Sequence, residues 1–428
     1  MFGTSGIRRL FDESLVQLAL RVGLALGKTY RSVVVGSDTR TSSGVLKYAL
    51  VSGVLGGGAD CWDSGTITTP TLAFAARNFP VGVMITASHN PPQYNGIKLV
   101  NADGSAFSLE QCRSLEESVL PDMPRAAPWD CIGTGSVFAA AVEGHMACIQ
   151  EKLPSELGLS VVVDCGCGPA SGITPYLLRK IGCRVIGLNC HPTGFYPRNQ
   201  EPEESNLGEL IAATREFHAD LGIAHDGDGD RMMAVDEKGR FIPGDKLLGL
   251  FALETGSREV VTTLDASMMI EEMGFRVRRT RIGDAAVSEE LKKGGDFGGE
   301  PSGSWIFPGT SLCPDGIHAA GRIAAMAARG RLAEMIDDMP AYPIMRGSVD
   351  AGGLLPAELE SEMEMMNPVS MQREDGVRAV FGDGWLLIRA SGTEPKVRIT
   401  AEARNRDRVE ELYNTGLRLI GECIERGK

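Results

Sequence analysis

The sequence lacks the features of a membrane-spanning, secreted or nucleic-acid-binding protein. No apolar run reaches the ~18 residues that a membrane-spanning helix needs. Met1 leads into Phe-Gly-Thr-Ser-Gly without the charged and apolar regions of a signal peptide, so we expect a cytoplasmic protein. The formal net charge of −13 disfavours nucleic acid and anionic membranes as partners. An anionic small molecule stays compatible, because local arginine and lysine residues can outweigh the overall charge.

The cysteine content does not point to a zinc site. The 10 cysteines are scattered from Cys61 to Cys423, and reduced thiols are expected in the cytoplasm. Cys165 and Cys167 form a C-x-C pair, but no second Cys/His pair lies at a zinc-like spacing. We interpret the cysteines as packing or loop residues.

What is present is an alternation of short β-branched runs with amphipathic stretches, which is typical of α/β units. At ~100–200 residues per domain, the length predicts two to four domains. The 53 glycines fall in short clusters, which indicates many tight turns and backbone-lined loops. Apolar periodicity predicts these elements: strands at 32–36, 81–85, 160–164, 220–224, 259–263 and 384–389, and helices at 13–30, 245–255, 315–328 and 406–426.

Shifts in composition divide the chain into four predicted domains, at 1–140, 141–244, 245–343 and 344–428. Prolines at 121–128 mark the late edge of the first unit, and a Pro-Gly pair at 243–244 ends the second. Periodicity supports three or four units but does not show whether they share a fold.

The segment Thr86-Ala-Ser-His-Asn-Pro91 directly follows the predicted strand at 81–85. Ligands bind beyond the carboxyl ends of strands in open α/β sheets. Ser88 is therefore a candidate nucleophile, with His89 as a proton carrier and Lys98 as a cation that could neutralise phosphate. A serine turn before a proline pair is the structural alternative, and the hexapeptide alone does not decide between the two.

The segment Asp226-Gly-Asp-Gly-Asp-Arg231 places three carboxylates within five residues, after the predicted strand at 220–224. Such carboxylates repel one another unless they share a cation, and hard oxygen ligands suit Mg²⁺. An EF-hand loop begins similarly, but it requires glycine where Arg231 stands and a helix where this strand lies. The pattern predicts a metal site rather than a solvated acidic turn.

The segment Gly298-Gly-Glu-Pro-Ser-Gly303 contains Glu300 and Ser302, which could hydrogen-bond sugar hydroxyls. By itself this segment is more typical of a turn. Arg8, near the amino terminus, is by itself typical of a surface charge.

The segment Arg389-Ala-Ser-Gly-Thr-Glu-Pro-Lys-Val-Arg398 follows a predicted strand. Backbone N–H groups, hydroxyls and a guanidinium in so short a stretch are typical of an anion-binding nest. The segment does not match the Walker A pattern. It predicts phosphate binding, with a structural loop as the alternative.

Taken together and in this order, these segments resemble the α-D-phosphohexomutase family, which includes phosphoglucomutases, phosphomannomutases and phosphoglucosamine mutases. The resemblance extends from Gly3 to the last motif, essentially the whole chain. It implies an α/β fold of four domains around a central cleft, with three similar mixed-sheet units and a smaller α+β fourth domain. The implied roles are Ser88 as the phosphorylated residue and a metal ligand with Asp226, Asp228 and Asp230; Arg8, His89, Lys98 and Arg231 as catalytic residues around the reacting phosphate; Glu300 and Ser302 as sugar-binding residues; and Arg389, Ser391, Gly392, Thr393 and Arg398 as the grip on the second phosphate.

The resemblance also implies the reaction. A phosphoryl group would pass between C6 and C1 of a hexose phosphate through phosphoserine and a bisphosphate intermediate, with Mg²⁺ as cofactor and sugar bisphosphate as activator. Many members have His directly after the Glu-x-Ser-Gly segment, whereas Ser304 stands here, as in the archaeal phosphoglucosamine mutase branch. Conversion of glucosamine 6-phosphate to glucosamine 1-phosphate is therefore expected, with mannose or glucose phosphates as the alternative substrates.

Two functions of other classes are weighed against this expectation. A phosphatase, in which water intercepts the phosphoserine, would gain little from the second phosphate site around Arg389. A non-catalytic sugar-phosphate sensor would need a broken Ser88 or carboxylate set, and both are intact. The sequence leaves monomer and homodimer open.

Overall fold

The computed structural model describes residues 6–119, 124–350, 359–390 and 396–426. These ranges contain four sheets, each formed by a separate stretch of the sequence. The first three mix parallel and antiparallel pairs, and the fourth is antiparallel throughout. The predicted fold class, with three similar α/β units and a smaller α+β unit, is confirmed.

The first domain has a six-stranded sheet. Its elements are β1 (Ile7–Leu10), α1 (Glu13–Thr29), β2 (Ser32–Ser37), α2 (Ser43–Gly57), β3 (Asp60–Thr66), α3 (Thr69–Ala75), β4 (Val81–Ile85), β5 (Tyr94–Asn101), α4 (Leu109–Val119) and β6 (Gly135–Val137). The strand order is β1-β5-β4-β2-β3-β6, and β4 runs parallel to β2. The carboxyl ends of β2 and β4 therefore lie side by side at one edge.

Two four-stranded sheets follow, each with three parallel strands and one antiparallel edge strand. The first is introduced by α5 (Ala141–Gln150) and contains β7 (Ser160–Asp164), α6 (Thr174–Lys180), β8 (Arg184–Leu188), α7 (Gly208–Glu216), β9 (Leu221–His225) and β10 (Met232–Val235), in the order β10-β9-β7-β8. The second contains α8 (Gly244–Glu254), β11 (Glu259–Thr263), α9 (Met269–Glu272), β12 (Arg276–Thr280), α10 (Asp284–Leu291), β13 (Phe297–Glu300), β14 (Ser304–Ile306), α11 (Gly316–Ala327) and α12 (Leu332–Asp337), in the order β12-β11-β13-β14.

The fourth domain is a five-stranded sheet backed by a long helix. It contains β15 (Ile344–Asp350), α13 (Leu359–Glu364), β16 (Ser370–Gln372), β17 (Val377–Phe381), β18 (Gly384–Ala390), β19 (Lys396–Ala403) and α14 (Arg406–Arg426), in the order β15-β19-β18-β17-β16. Domain boundaries at 140, 244 and 343 stay predictions.

The interior explains why the parallel strands read as apolar runs. Val33–Val35 of β2 and Val161–Val163 of β7 are fully buried, as expected for strands covered on both faces. The second and third domains share one apolar cluster, which extends from Met146 to Met339. The loops beyond β9 and β13 therefore project from one continuous core and are held at a fixed separation.

Candidate active site

Ser88 lies in the loop that follows β4, at the carboxyl end of that strand. Its backbone has a φ of 49°, in the left-handed region, and its side chain is buried. The Ser88 N–H donates to Thr86 Oγ1 (2.9 Å), and Thr86 Oγ1 donates to Asp38 Oδ2 (2.7 Å). Ser88 Oγ donates to Asp226 Oδ2 at 2.9 Å and lies 3.4 Å from His89 Nδ1. The candidate nucleophile is thus held between an imidazole and the acidic cluster.

Arg40, which sequence reasoning missed, holds the Ser88 loop in place. Its buried guanidinium donates from Nη2 to the carbonyl oxygens of Ser88 and Asn90, at 2.6 and 2.7 Å. From Nη1 it donates to those of Pro91 and Tyr94, at 2.7 and 2.9 Å. Arg40 follows β2, the parallel neighbour of β4, and this adjacency is visible only in the folded chain.

The acidic segment that follows β9 packs directly on the Ser88 loop. Asp226 Oδ1 accepts the N–H groups of Gly229 and Arg231, at 3.0 and 3.2 Å, which curls the segment into a compact loop. A Cβ atom at Gly227 would lie 2.4 Å from the carbonyl oxygen of Ser88. Glycine at this position therefore permits the close approach of the first two domains.

The three aspartates fit a divalent cation. One carboxylate oxygen from each lies within 4.8 Å of the others, and all three residues are buried. Oδ1 of Asp228 and Oδ1 of Asp230 are buried without a hydrogen-bond partner among the described residues. Burial and the negative charges of Asp230 and Asp228 raise the pKa of Asp226. Burial and the negative charge of Asp228 raise the pKa of Asp230. A shared hard cation such as Mg²⁺ would relieve this crowding and satisfy both oxygens.

Lys98 and Thr69 orient the carboxylates. Lys98 Nζ donates to Oδ2 of Asp228 and Oδ2 of Asp230, each at 2.7 Å. Burial opposes the charge of Lys98, but the two carboxylates outweigh it and hold the pKa of Lys98 above its usual value. Thr69, at the start of α3, donates its N–H to the Asp228 carbonyl (2.9 Å) and its hydroxyl to the Asp228 carboxylate. Sequence reasoning identified Lys98 but missed Thr69.

Arg8 and Arg231 lie near His89. Burial first, and then the charges of Arg231 and Arg8, lower the pKa of His89 to about 2, so the imidazole is neutral. Arg8 Nη1 donates to Asn90 Oδ1 at 3.2 Å, and its buried Nε has no hydrogen-bond partner in the described part of the chain. Arg231 Nη1 donates to Glu201 Oε1 at 2.8 Å, and sequence reasoning missed Glu201.

The predicted sugar-binding residues lie at the turn between β13 and β14. Glu300 ends β13, and its Oε1 accepts the Gly283 N–H at 2.8 Å. Burial, reinforced by the charge of Asp284, raises the pKa of Glu300 to about 8. Ser302 is exposed in the turn, whereas Ser304, the first residue of β14, is buried. The turn thus offers one protonated carboxyl group and one accessible hydroxyl.

A cavity of about 290 Å³ opens beside Lys98 and Asp230. Asp284 of the third domain and Asp375 of the fourth domain also line it. Residues from four domains therefore border one central cleft.

The predicted phosphate-binding arginines face each other across two strands of the fourth domain. Arg389 of β18 pairs in register with Arg398 of β19, and both line a second cavity of about 300 Å³. Arg389 Nη1 lies 3.8 Å from Asp375 Oδ2. Three other predicted residues of this loop lie outside the described residues: Ser391, Gly392 and Thr393.

The four sheets match four family models in the same order. These models are the phosphoglucomutase/phosphomannomutase α/β/α domains I (residues 1–123), II (138–239) and III (243–342), and the C-terminal domain (346–415). The chain belongs to the phosphoglucomutase/phosphomannomutase family. It is an enzyme, an intramolecular phosphotransferase of the phosphohexomutase type.

Relatives and solved structures resemble this phosphohexomutase over almost its full length. A protein of Methanocella arvoryzae named "Probable phosphoglucosamine mutase" is 48% identical over 439 residues, which cover 99% of each chain. The crystal structure of a phosphoglucomutase/phosphomannomutase family protein from Burkholderia thailandensis has a TM-score of 0.88 at 25% identity, covering 99% of this chain and 97% of that chain. N-acetylphosphoglucosamine mutase of Aspergillus fumigatus, solved with GlcNAc-6P and magnesium, has a TM-score of 0.62 at 16% identity, covering 99% and 95%. Within the described ranges, no helix is long and apolar enough to cross a lipid bilayer.

Proposed function

We propose that this phosphohexomutase interconverts glucosamine 6-phosphate and glucosamine 1-phosphate, with Ser88 as the phosphoryl carrier. The observation that carries the proposal is the 2.9 Å contact of Ser88 Oγ with Oδ2 of Asp226, which is one of three clustered carboxylates. This contact joins a candidate nucleophile to a candidate metal site. The name of the 48%-identical relative supports the amino sugar as the substrate.

Asp226, Asp228 and Asp230 are proposed to hold Mg²⁺ together with an oxygen of phosphorylated Ser88. The two unpartnered Oδ1 atoms support this assignment, and the magnesium in the Aspergillus fumigatus structure agrees with it. When bound, the cation would neutralise charge on the phosphoryl oxygens.

The protein residues position the reactants and stabilise charge. Phosphoserine 88 transfers its phosphoryl group to a free hydroxyl of the hexose phosphate, so the Oγ–P bond breaks as the new O–P bond forms. The sugar hydroxyl loses its proton as the new O–P bond forms, and the departing Ser88 Oγ takes up a proton. His89, with Nδ1 3.4 Å from Ser88 Oγ, is placed to relay that proton between the two oxygens. Lys98, Arg8 and Arg231 provide the cationic surroundings that stabilise the transferring group.

The resulting bisphosphate must turn end for end so that its other phosphate returns to Ser88. Glu300 and Ser302 are proposed to bind hydroxyls between the two phosphates, because such contacts persist in both orientations. Arg389 and Arg398 are proposed to grip the phosphate that is not reacting. A hexose 1,6-bisphosphate would act as activator by phosphorylating Ser88 of dephosphorylated enzyme.

A mutase assay with glucosamine, mannose and glucose 6-phosphates, primed by a catalytic amount of sugar bisphosphate, tests the proposal. We expect the highest kcat/KM for glucosamine 6-phosphate, by ~10- to 200-fold at most if single group contacts provide the preference. A higher kcat/KM for mannose or glucose 6-phosphate would overturn only the assignment of the amino sugar as the substrate.

Intact-mass analysis tests Ser88 as the phosphoryl carrier. It should show one phosphoryl adduct on Ser88, and the Ser88→Ala variant should lose both the adduct and mutase turnover. Rapid release of inorganic phosphate instead would indicate a phosphatase.

A further inference from the structure

The sheet of the fourth domain has one face on its own core and one face toward the third domain. In β15, Met345 and Val349 pack on the apolar core of the fourth domain, and Gly347 lies against Tyr413 of α14. Because side chains alternate along a strand, Arg346 points to the opposite face. Arg346 therefore shares the face that looks toward the third domain.

The register of the sheet groups Arg346 with the phosphate-binding candidates. Ser348 of β15 pairs with Arg398 of β19, which pairs with Arg389 of β18. Arg346 lies two residues before Ser348 on the same face. The cavity of about 300 Å³ is bordered by all three arginines and, from the third domain, by Asp265. One cavity thus has three guanidinium groups and one carboxylate in its wall.

The contact that Arg346 makes with the protein is long. Its Nη2 lies 3.6 Å from Asp245 Oδ2, and 48% of its side chain is exposed. Asp245 also accepts the Ser267 N–H at 2.7 Å. Burial raises the pKa of Asp245 to about 6 although Arg346 acts in the opposite direction. At 3.6 Å the pair is longer than a close charge-assisted hydrogen bond, so the half-exposed guanidinium of Arg346 has donors that can bind an anion in the cavity.

We propose that Arg346 is a further substrate-binding residue, which adds a third guanidinium to the site for the non-reacting phosphate of the hexose phosphate. A phosphate monoester dianion has enough charge and enough acceptor oxygens for several guanidinium groups. The wall of the cavity contains three guanidinium groups and one carboxylate, a charge balance that favours such a dianion. This inference rests on the proposed function and extends its phosphate site to a strand outside the Arg389–Arg398 segment.

Equilibrium binding of glucosamine 1,6-bisphosphate to the full chain tests the inference by calorimetry. A Ser88→Ala parent prevents phosphoryl transfer during the titration. Arg346→Gln in that parent should weaken binding about tenfold, the effect of losing a charge-assisted contact at a partly exposed site. The affinity of Arg346→Lys for the bisphosphate should lie between that of the parent and that of Arg346→Gln, because an ammonium group keeps the charge but lacks the planar fork of the guanidinium.

Arg373→Gln is the matched control. Arg373 is also in the fourth domain, is 46% exposed, and contacts Glu360 rather than the cavity. Its replacement should leave binding unchanged. In the enzyme with natural Ser88, Arg346→Gln should raise KM more than it lowers kcat, with the melting temperature preserved.

Two results would overturn the inference alone: bisphosphate binding by Arg346→Gln equal to that of the parent, or equal weakening by Arg373→Gln, which would indicate a net-charge effect. A parent that binds neither glucosamine nor other hexose bisphosphates would overturn the proposed function and, with it, the role of Arg346.

Discussion

At the scale of single residues, the acidic cluster shows how one carboxylate can have two different partners. Asp228 presents Oδ2 to Lys98 and Thr69, while its Oδ1 is buried without a hydrogen-bond partner in the described ranges. Burial alone would raise the pKa of Asp228, but the charge and hydrogen bond of Lys98 lower it below the usual value. One oxygen is thus anchored by protein groups, and the other is directed at the proposed cation.

Asp228→Asn tests this division. The amide keeps the shape but loses the charge, so Mg²⁺ affinity should fall and kcat should drop at least about 100-fold. Calorimetric Mg²⁺ titration and the mutase assay measure the two effects. Asp236→Asn, which alters a buried aspartate outside the cluster, is the control. Full activity of Asp228→Asn in the presence of EDTA would contradict a metal role.

Glu300 predicts a pH dependence of stability. Its pKa is about 8 in the folded chain against a usual value of 4.5, because burial penalises the charged form. The folded state therefore binds this proton more tightly, and stability is lost as the pH rises from 4.5 to about 8. Glu300→Gln removes the ionisation, so its melting temperature relative to wild type should increase across that window. If the difference in melting temperature between Glu300→Gln and wild type stays constant from pH 4.5 to 8, Glu300 ionises with its usual pKa in the folded chain.

At the scale of elements, the loop between β4 and β5 has no regular hydrogen-bonding ladder of its own. Ser88 adopts a left-handed backbone, which costs about 1 kcal/mol for a non-glycine residue. Three carbonyl groups of the loop, and that of Tyr94 at the start of β5, accept from one guanidinium, that of Arg40. The side chain that follows β2 thus determines the conformation of the loop that follows β4.

Arg40→Lys should release this loop. An ammonium cannot reach carbonyls on both sides of the loop, so buried acceptors would be left unpaired at a cost of about 2–4 kcal/mol. We expect a lower melting temperature and a loss of kcat larger than the rise in KM. Arg31→Lys, at an exposed position in the same domain, is the control. Equal melting temperatures and equal kcat values for Arg40→Lys and Arg31→Lys would show that Arg40 does not position Ser88.

At the scale of the whole molecule, the fourth domain is attached to the third through a buried carboxylate. Glu402 of β19 accepts the Trp385 indole N–H (2.6 Å), the Met268 N–H (2.8 Å) and the Ser267 hydroxyl. This contact lies on the same sheet face as the arginine-lined cavity, toward the other end of β19. It therefore helps to set the separation between the arginines proposed to bind phosphate and the turn proposed to bind the sugar.

Glu402→Ala should loosen this attachment. Three donors would lose their acceptor, two of them at buried residues, which predicts a loss of about 3 kcal/mol in stability. Calorimetry should show an earlier, separate unfolding transition, and KM for the hexose phosphate should rise. Glu410→Ala, on the exposed surface of α14, provides the comparison. A single unfolding transition of Glu402→Ala at the wild-type temperature would rule out a role of Glu402 in holding the fourth domain against the third.

The local elements were largely predictable from the sequence. The predicted strands at 81–85, 160–164 and 259–263 coincide with β4, β7 and β11, and the helix at 406–426 coincides with α14. The strand predicted at 220–224 begins one residue later, as β9 at Leu221. These elements carry strong apolar periodicity, which depends only on near neighbours in the chain.

The chemistry proposed for the site follows from the sequence alone, because the serine loop, the aspartate cluster and the arginine segment are each contiguous and rich in functional groups. Tertiary structure decided which distant side chains complete them. Arg40, Thr69, Glu201 and Arg346 stand in unremarkable local sequence, and their roles arise only where neighbouring strands or separate domains meet. Such meetings depend on strand order and domain packing, which no local pattern encodes, and so the partners of each motif became visible only in the folded chain.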